Sequence, residues 1–369
     1  MRFLNKLLIN IIIFACFIIN TYSLDWPVVE RVLLTCFGEN NGSSFYTGID
    51  LGGEHQNVYP VADGEIIFYH KENESYSTVP RGNGNLLAVQ HEGEIQSIYS
   101  HLEKDSIILN TFNVKKRPGR IKSDLFENSI LAMLEDTDAK ESLLEGFIKD
   151  DDYYIYNTEE INEREQLEIW NILFEIGFAK PIARIGDSGA AEGPYLFFML
   201  IDISEHIIIN PIFKEDNTPL TPPITPRRPR YYEGPFVEEL LLGRDDAMHK
   251  IYDAQSISSG TGSIYTKAYC MSDFSDYEKR MVPYRFTLIS NGVEVSTIVL
   301  NALEEQGNRF VLWNTETGYE DLYTSNVFGK KWLFKLGSIN FLEGVSNISL
   351  TVEDIFGMES RITVQLQIF

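Results

Sequence analysis

Glycine punctuation is the feature that most limits what this chain can fold into. Gly48, Gly52, Gly53, Gly64, Gly82, Gly84 and Gly93 divide residues 24–102 into short pieces. The apolar runs between them, such as Gly64-Glu-Ile-Ile-Phe68 and Leu86-Leu-Ala-Val-Gln90, suit strands and are too brief for packed helices. Short strands at this spacing predict an antiparallel sheet rather than βαβ units. A similar pattern returns near the C-terminus. Tyr284–Ile289, the Asn291-Gly292 turn and Val293–Val299 read as a hairpin. The last residues alternate, with Ile362, Val364, Leu366 and Ile368 on one face and Arg361, Thr363, Gln365 and Gln367 on the other.

Between these β segments the character changes twice. Around 104–178 the apolar spacing becomes helical. Leu125, Ile130, Leu131 and Leu134 follow a possible cap at Ser123, and Ile161, Leu167, Trp170, Leu173 and Phe174 run up to Gly177. Residues 124–168 carry fifteen acidic side chains against three basic ones, the mark of a solvated face or a partner surface. Residues 218–229 then hold five prolines in twelve positions, which favours extended backbone and interrupts any ladder. The expected order is therefore a β domain over 24–214 with an acidic helical insertion at about 104–178, a Pro-rich linker at 215–235, and a second β domain over 236–369. An immunoglobulin-like β-sandwich is expected for the last, without the Cys-Trp-Cys spacing of a true immunoglobulin domain.

The first 23 residues form their own unit. Arg2 and Lys6 precede an apolar run from Leu7 to Ile19, and Thr21 and Ser23 follow. This pattern predicts a signal peptide cleaved after Ser23, and hence an exported, periplasmic or envelope-associated protein. The alternatives are a lipoprotein signal ending at Cys16 and an uncleaved anchor; membrane contact is expected only through such a signal or lipid. Removal of the peptide leaves Cys36 and Cys270, in different expected domains, so two buried thiols are expected rather than a disulfide. A formal charge of −23 with no basic stripe excludes nucleic acid as a partner.

Several separated segments resemble, in order, the LytM/lysostaphin-type zinc endopeptidases. Phe45-Tyr-Thr-Gly-Ile-Asp50-Leu51 is similar to that family's His-x-Gly-x-Asp motif, and Val58-Tyr-Pro-Val-Ala-Asp-Gly64 to the block that follows it. Gly82–His91 and Ile98-Tyr-Ser-His-Leu102 resemble the next two blocks; Ala183–Gly189, Gly193–Phe198 and Asn210-Pro211 complete the series. The resemblance covers about residues 28–213 without the insertion, and implies a LytM-like antiparallel β-sheet domain (the duplicated hybrid motif fold).

It also implies site residues. In active relatives, zinc is held by the His and Asp of the first motif and the second His of a His-x-His pair. That pair's first His, with the His of Tyr-x-His-Leu, acts on the attacking water or the oxyanion. Here Asp50 matches the Asp and His101 the Tyr-x-His-Leu histidine, but Tyr46 stands at the first ligand position and Tyr195 and Phe197 at the pair, while Met199 replaces a common acidic residue. Phe197 has no lone pair, and a tyrosine ligates only as phenolate, against an unperturbed pKa of about 10. Catalytic zinc normally takes three protein ligands, so one carboxylate is too few.

No metal or other cofactor is therefore expected, and Asp50 is expected as a hydrogen-bonded turn carboxylate, with His101 and His91 in structural roles. His55, His70, His206 and His249 form no metal-binding spacing. The expected function is a non-catalytic LytM-like envelope protein that regulates or recruits a peptidoglycan hydrolase such as an amidase, or binds cell wall. The alternatives are an active peptidoglycan zinc endopeptidase with an atypical metal site, and a structural or adhesive protein acting through its C-terminal sandwich.

Overall fold

The structure is a computed structural model. It describes residue 24 and residues 26–28, 32–53, 55–72, 81–107, 181–191, 193–212, 232–244, 247–274, 277–307, 309–323 and 332–369, with short strands at 113–114, 120–122, 147–150 and 153–156. The expected signal peptide, Cys16, both expected helices and residues 213–231 lie outside the described residues. Among those described, no helix is long and apolar enough to cross a membrane.

The fold is mainly β with antiparallel sheets. Its N-terminal strands are β1 (Val32–Thr35), β2 (Ile49–Gly52), β3 (Asn57–Val58), β4 (Gly64–His70), β5 (Asn85–His91), β6 (Ile95–Leu102) and β7 (Asn113–Val114). β8 (Arg120–Lys122), β9 (Phe147–Asp150) and β10 (Tyr153–Tyr156) form a small sheet of their own, and β11 (Ala183–Arg184) pairs with β3. β12 (Tyr195–Asp202) and β13 (Ile207–Ile209) follow.

The central strand is β12. Its sequence alternates so that Leu196, Phe198 and Leu200 are fully buried, while Tyr195, Phe197 and Met199 face the other way and are half-buried. One edge of β12 pairs with β6; the other pairs with β2 at its start and β13 at its end. This places Asp50 directly across from Phe197 on one side, and Ser100 across from it on the other. The core face is closed by pairs such as Tyr99 on Phe198, with ring centroids 5.3 Å apart.

Where the insertion is described it carries strands, before and between the positions of the two expected helices. The described parts of 104–178 contain the antiparallel strands β8, β10 and β9. Tyr153-Tyr-Ile-Tyr156 is a run of aromatic and β-branched residues, which favours a pleated strand over a helix.

The C-terminal strands are β14 (Tyr232–Arg244), β15 (Ala247–Lys250), β16 (Gln255–Ile257), β17 (Gly260–Phe274), β18 (Tyr277–Met281), β19 (Arg285–Ser290), β20 (Val293–Val299), β21 (Ala302–Gln306), β22 (Arg309–Leu312), β23 (Leu333–Phe341), β24 (Gly344–Glu353) and β25 (Glu359–Ile368). β14 already takes in Tyr232–Pro235, so extended pairing starts inside the segment expected as linker. β15, β14, β17, β18 and β23 make one five-stranded sheet, and β16, β25, β24, β19 and β20 another. Phe286 of β19 meets Phe334 of β23, ring centroids 4.7 Å apart, where the two sheets face each other. The expected hairpin is β19–β20, and Val364, Leu366 and Ile368 of β25 are buried as their alternation requires.

Two strands of this region leave it. β21 pairs with β13, and β22 with β21, so residues 302–312 extend the N-terminal sheet to ten strands. The seam is sealed by Asn210, whose side chain donates to Leu300 O at 2.7 Å and whose backbone N–H donates to Asn301 O at 2.8 Å. One hydrophobic cluster runs through both regions. Cys36 and Cys270 are buried thiols outside any disulfide, and Cys36 Sγ lies 3.6 Å from Met281 Sδ across this seam.

Candidate functional site

The five positions singled out in the sequence converge on one face of β12. Tyr46, at the end of a hairpin spanning residues 38–46, donates its hydroxyl to Asp50 Oδ1 at 2.5 Å. Its ring meets Phe197 edge-on, centroids 5.5 Å apart at 85°. Further along the face, the His101 ring lies 4.7 Å from that of Tyr195.

Gly48 is what allows this closeness. A Cβ there would stand 2.5 Å from Phe198 O and 2.7 Å from the Phe197 ring, so any other residue would push the Tyr46–Asp50 segment off β12. The glycine of the first motif is thus a packing requirement, independent of any metal.

Asp50 lies within strand β2, not in a turn, and is only 7% exposed. Burial, reinforced by the Asp50 carboxylate and then by Tyr195 and Glu39, holds the Tyr46 hydroxyl far above the ordinary tyrosine range. Tyr46 is therefore a neutral phenol at any physiological pH. It gives Asp50 a hydrogen bond of the short, charge-assisted kind.

His101 is placed by an irregularity. Strict alternation along β6 would turn it to the Tyr99–Phe198 side; its left-handed backbone, φ 63°, instead brings the ring against Tyr195. Its Nδ1 lies 2.8 Å from Ser188 O. A carbonyl only accepts, so Nδ1 carries a proton and donates it to Ser188 O. Ser188 is itself fixed, donating to Leu102 O at 2.9 Å and accepting from Asn85 N–H at 2.8 Å. The loop around it packs backbone on backbone, since a Cβ on Gly84 would come within 2.4 Å of Ser188.

His91 stands apart from this cleft and is not a turn residue. It ends β5, is 4% exposed, and its Nδ1 and Nε2 lie 3.0 Å from Asp63 O and 2.6 Å from Ser97 Oγ. Ser97 Oγ is also 3.0 Å from the Tyr99 hydroxyl, which accepts from Val61 N–H. Burial lowers the His91 pKa below its ordinary value against the upward pull of the Asp63 and Ala62 carbonyls. His55 is outside the aromatic cluster, its Nδ1 3.6 Å from Glu103 Oε1.

The residues present do not fit a zinc ion. The ligand positions offer one carboxylate already bound by a phenol, the neutral Tyr46 itself, and the hydrocarbon ring of Phe197. Among the described residues, no group of three or more His, Cys, Asp or Glu is arranged to hold a metal. What the face presents is half-buried aromatic rings, an imidazole anchored through Nδ1 and a carboxylate held by a phenol.

A protein-family model matches residues 234–369, the C-terminal region. None of the curated proteins matches the chain. In structure the chain is similar to a zinc-containing peptidase from Vibrio cholerae, with 17% identity and a TM-score of 0.26 over 48% of this chain; the match spans 36% of that peptidase's length. It is similar to the SpoIIQ–SpoIIIAH pore-forming complex at 13% identity and a TM-score of 0.29, covering 52% of this chain and 90% of that one. It is also similar to the catalytic domain of lysostaphin from Staphylococcus simulans, at 15% identity and a TM-score of 0.20, covering 49% of this chain and 81% of that one.

Proposed function

We propose that this chain is an exported, non-catalytic relative of the LytM-type peptidases, whose former metal cleft recognises peptidoglycan stem peptide or a cell-wall hydrolase. The observation that carries the proposal is the Tyr46–Asp50–Phe197 contact. Where active relatives place two imidazoles and a carboxylate, this chain has a neutral phenol donating at 2.5 Å to the carboxylate and an aromatic ring packed edge-on against the phenol. Without an activated water or a Lewis acid, the cleft has no means to attack an amide. It keeps shape, aromatic surface and one fixed imidazole, and these serve binding.

The test uses the full-length mature chain, because residues 302–312 complete the N-terminal sheet and a truncation at the linker would remove them. Purified protein should carry no stoichiometric transition metal and leave a peptidoglycan zymogram dark. It should either cosediment with sacculi or stimulate an added cell-wall amidase, and Tyr195→Ala should weaken whichever interaction is seen. One metal ion per chain together with cut stem peptides from the unaided protein would overturn the proposal.

A further inference from the structure

The hairpin that carries Tyr46 is gripped from outside its own sheet. Gly38 N–H donates to Tyr46 O and Tyr46 N–H to Glu39 O, each at 2.8 Å, and Asn40 bridges Phe45. The grip comes from the short helix Tyr319–Leu322 and the residue after it. Tyr319 donates its hydroxyl to Asn40 Oδ1 at 2.6 Å, and Tyr323 donates its own to Gly38 O at 2.6 Å. Phe45 stands edge-on to both rings, at 5.9 and 6.0 Å. Tyr323 in turn packs at a tilt against Phe334, ring centroids 5.4 Å apart, and Phe334 against Phe286 at 4.7 Å, which ties the grip into the packing between the C-terminal sheets.

A continuous run of contacts thus leads from the C-terminal core to the cleft. Phe286, Phe334 and Tyr323 lead to Gly38 and Phe45; the next residue, Tyr46, reaches Asp50. Tyr46 covers the one carboxylate that the cleft retains. Both hydroxyl bonds are short, and Tyr323 is almost wholly buried, so the hairpin cannot shift without breaking them.

We infer that Tyr319 and Tyr323 form a latch by which the C-terminal region keeps Tyr46 seated on Asp50. The latch regulates the site described above, so its functional meaning rests on the proposed recognition role, although its mechanics do not. Displacing the short helix frees the hairpin and uncovers Asp50.

The test is backbone hydrogen exchange by mass spectrometry on the full-length chain and on Tyr319→Phe and Tyr323→Phe. Each variant loses one hydroxyl bond and keeps its ring. Exchange across residues 38–50 should rise about five- to tenfold, with β5 and β6 unchanged. Nitration of Tyr46 by tetranitromethane should rise in parallel. Unchanged exchange in both variants, or an equal rise throughout the N-terminal sheet, overturns the latch. Should Tyr323→Phe fail to fold, Tyr319→Phe, at the less buried of the two tyrosines, decides alone by the same two outcomes. Sacculus cosedimentation and amidase stimulation by the wild type test the recognition role separately, so failure of one inference is told apart from failure of the other.

Discussion

Rebuilding the metal site is the most demanding test of why the cleft is inert. Tyr46→His with Phe197→His would restore two imidazoles beside Asp50 and return three protein ligands. The geometry favours this. The two rings to be replaced already touch, with centroids 5.5 Å apart, and Asp50 Oδ1 lies 2.5 Å from the Tyr46 hydroxyl. Ligand atoms on these strands can thus approach one point at bond lengths of about 2.0–2.2 Å. The cost is also readable. The variant loses the charge-assisted hydrogen bond, about 1.5–3 kcal/mol, and the edge-on ring pair, about 0.5–1.5 kcal/mol. Without metal it should unfold about 2–4.5 kcal/mol more easily than wild type. Zinc at a hundred times its dissociation constant should return about 2.7 kcal/mol. Urea unfolding of wild type and variant, each with chelator and with zinc, measures both quantities, and elemental analysis counts the metal. The reasoning fails if zinc stabilises wild type as much as the variant, or if the folded variant takes up none.

Tyr46→Phe alone should cost about 2 kcal/mol by urea unfolding, and the cost should shrink in an Asp50→Asn background, where the lost bond is no longer to a charge. His91 makes stability depend on pH. Its folded pKa lies below the unfolded value of about 6.5, so the unfolded chain binds more protons in the window between them, and stability falls as pH drops from about 6.5. The slope for this one group approaches about 1.4 kcal/mol per pH unit, and His91→Gln should flatten it in unfolding curves at pH 7.5 and 5.5. Gly84→Ala forces a Cβ to within 2.4 Å of Ser188 at a backbone φ of 59°, so it should cost about 2–3 kcal/mol and shift the His101 ring resonances.

Much of the sheet could be read from local pattern. β4, β5 and the β19–β20 hairpin follow from glycine turns and alternation, and the Tyr195/Phe197 face follows from period two along one strand. The meeting of Tyr46, Asp50 and Phe197 was legible only because separated motifs could be placed in order, since it depends on β2 pairing with β12 across more than a hundred residues. The orientation of His101 was not legible, because a single left-handed residue reverses the face that alternation assigns. Nor was the departure of β21 and β22. Ala302-Leu303 is apolar wherever it lies, and nothing local says which sheet edge will accept it. In the insertion, leucine spacing suggested two helices, and the aromatic run at Tyr153–Tyr156 between them was the overlooked sign of strand.

The β13–β21 junction changes what covalent continuity contributes. Ladder hydrogen bonds, the Asn210 seam and a shared core join the halves directly. A protease nick in residues 213–231 should therefore leave two fragments that stay associated through gel filtration and separate only on unfolding. Two separately expressed halves, by contrast, would each begin with a bare sheet edge at Ile207–Ile209 or at Ala302–Gln306, and would aggregate before they found each other.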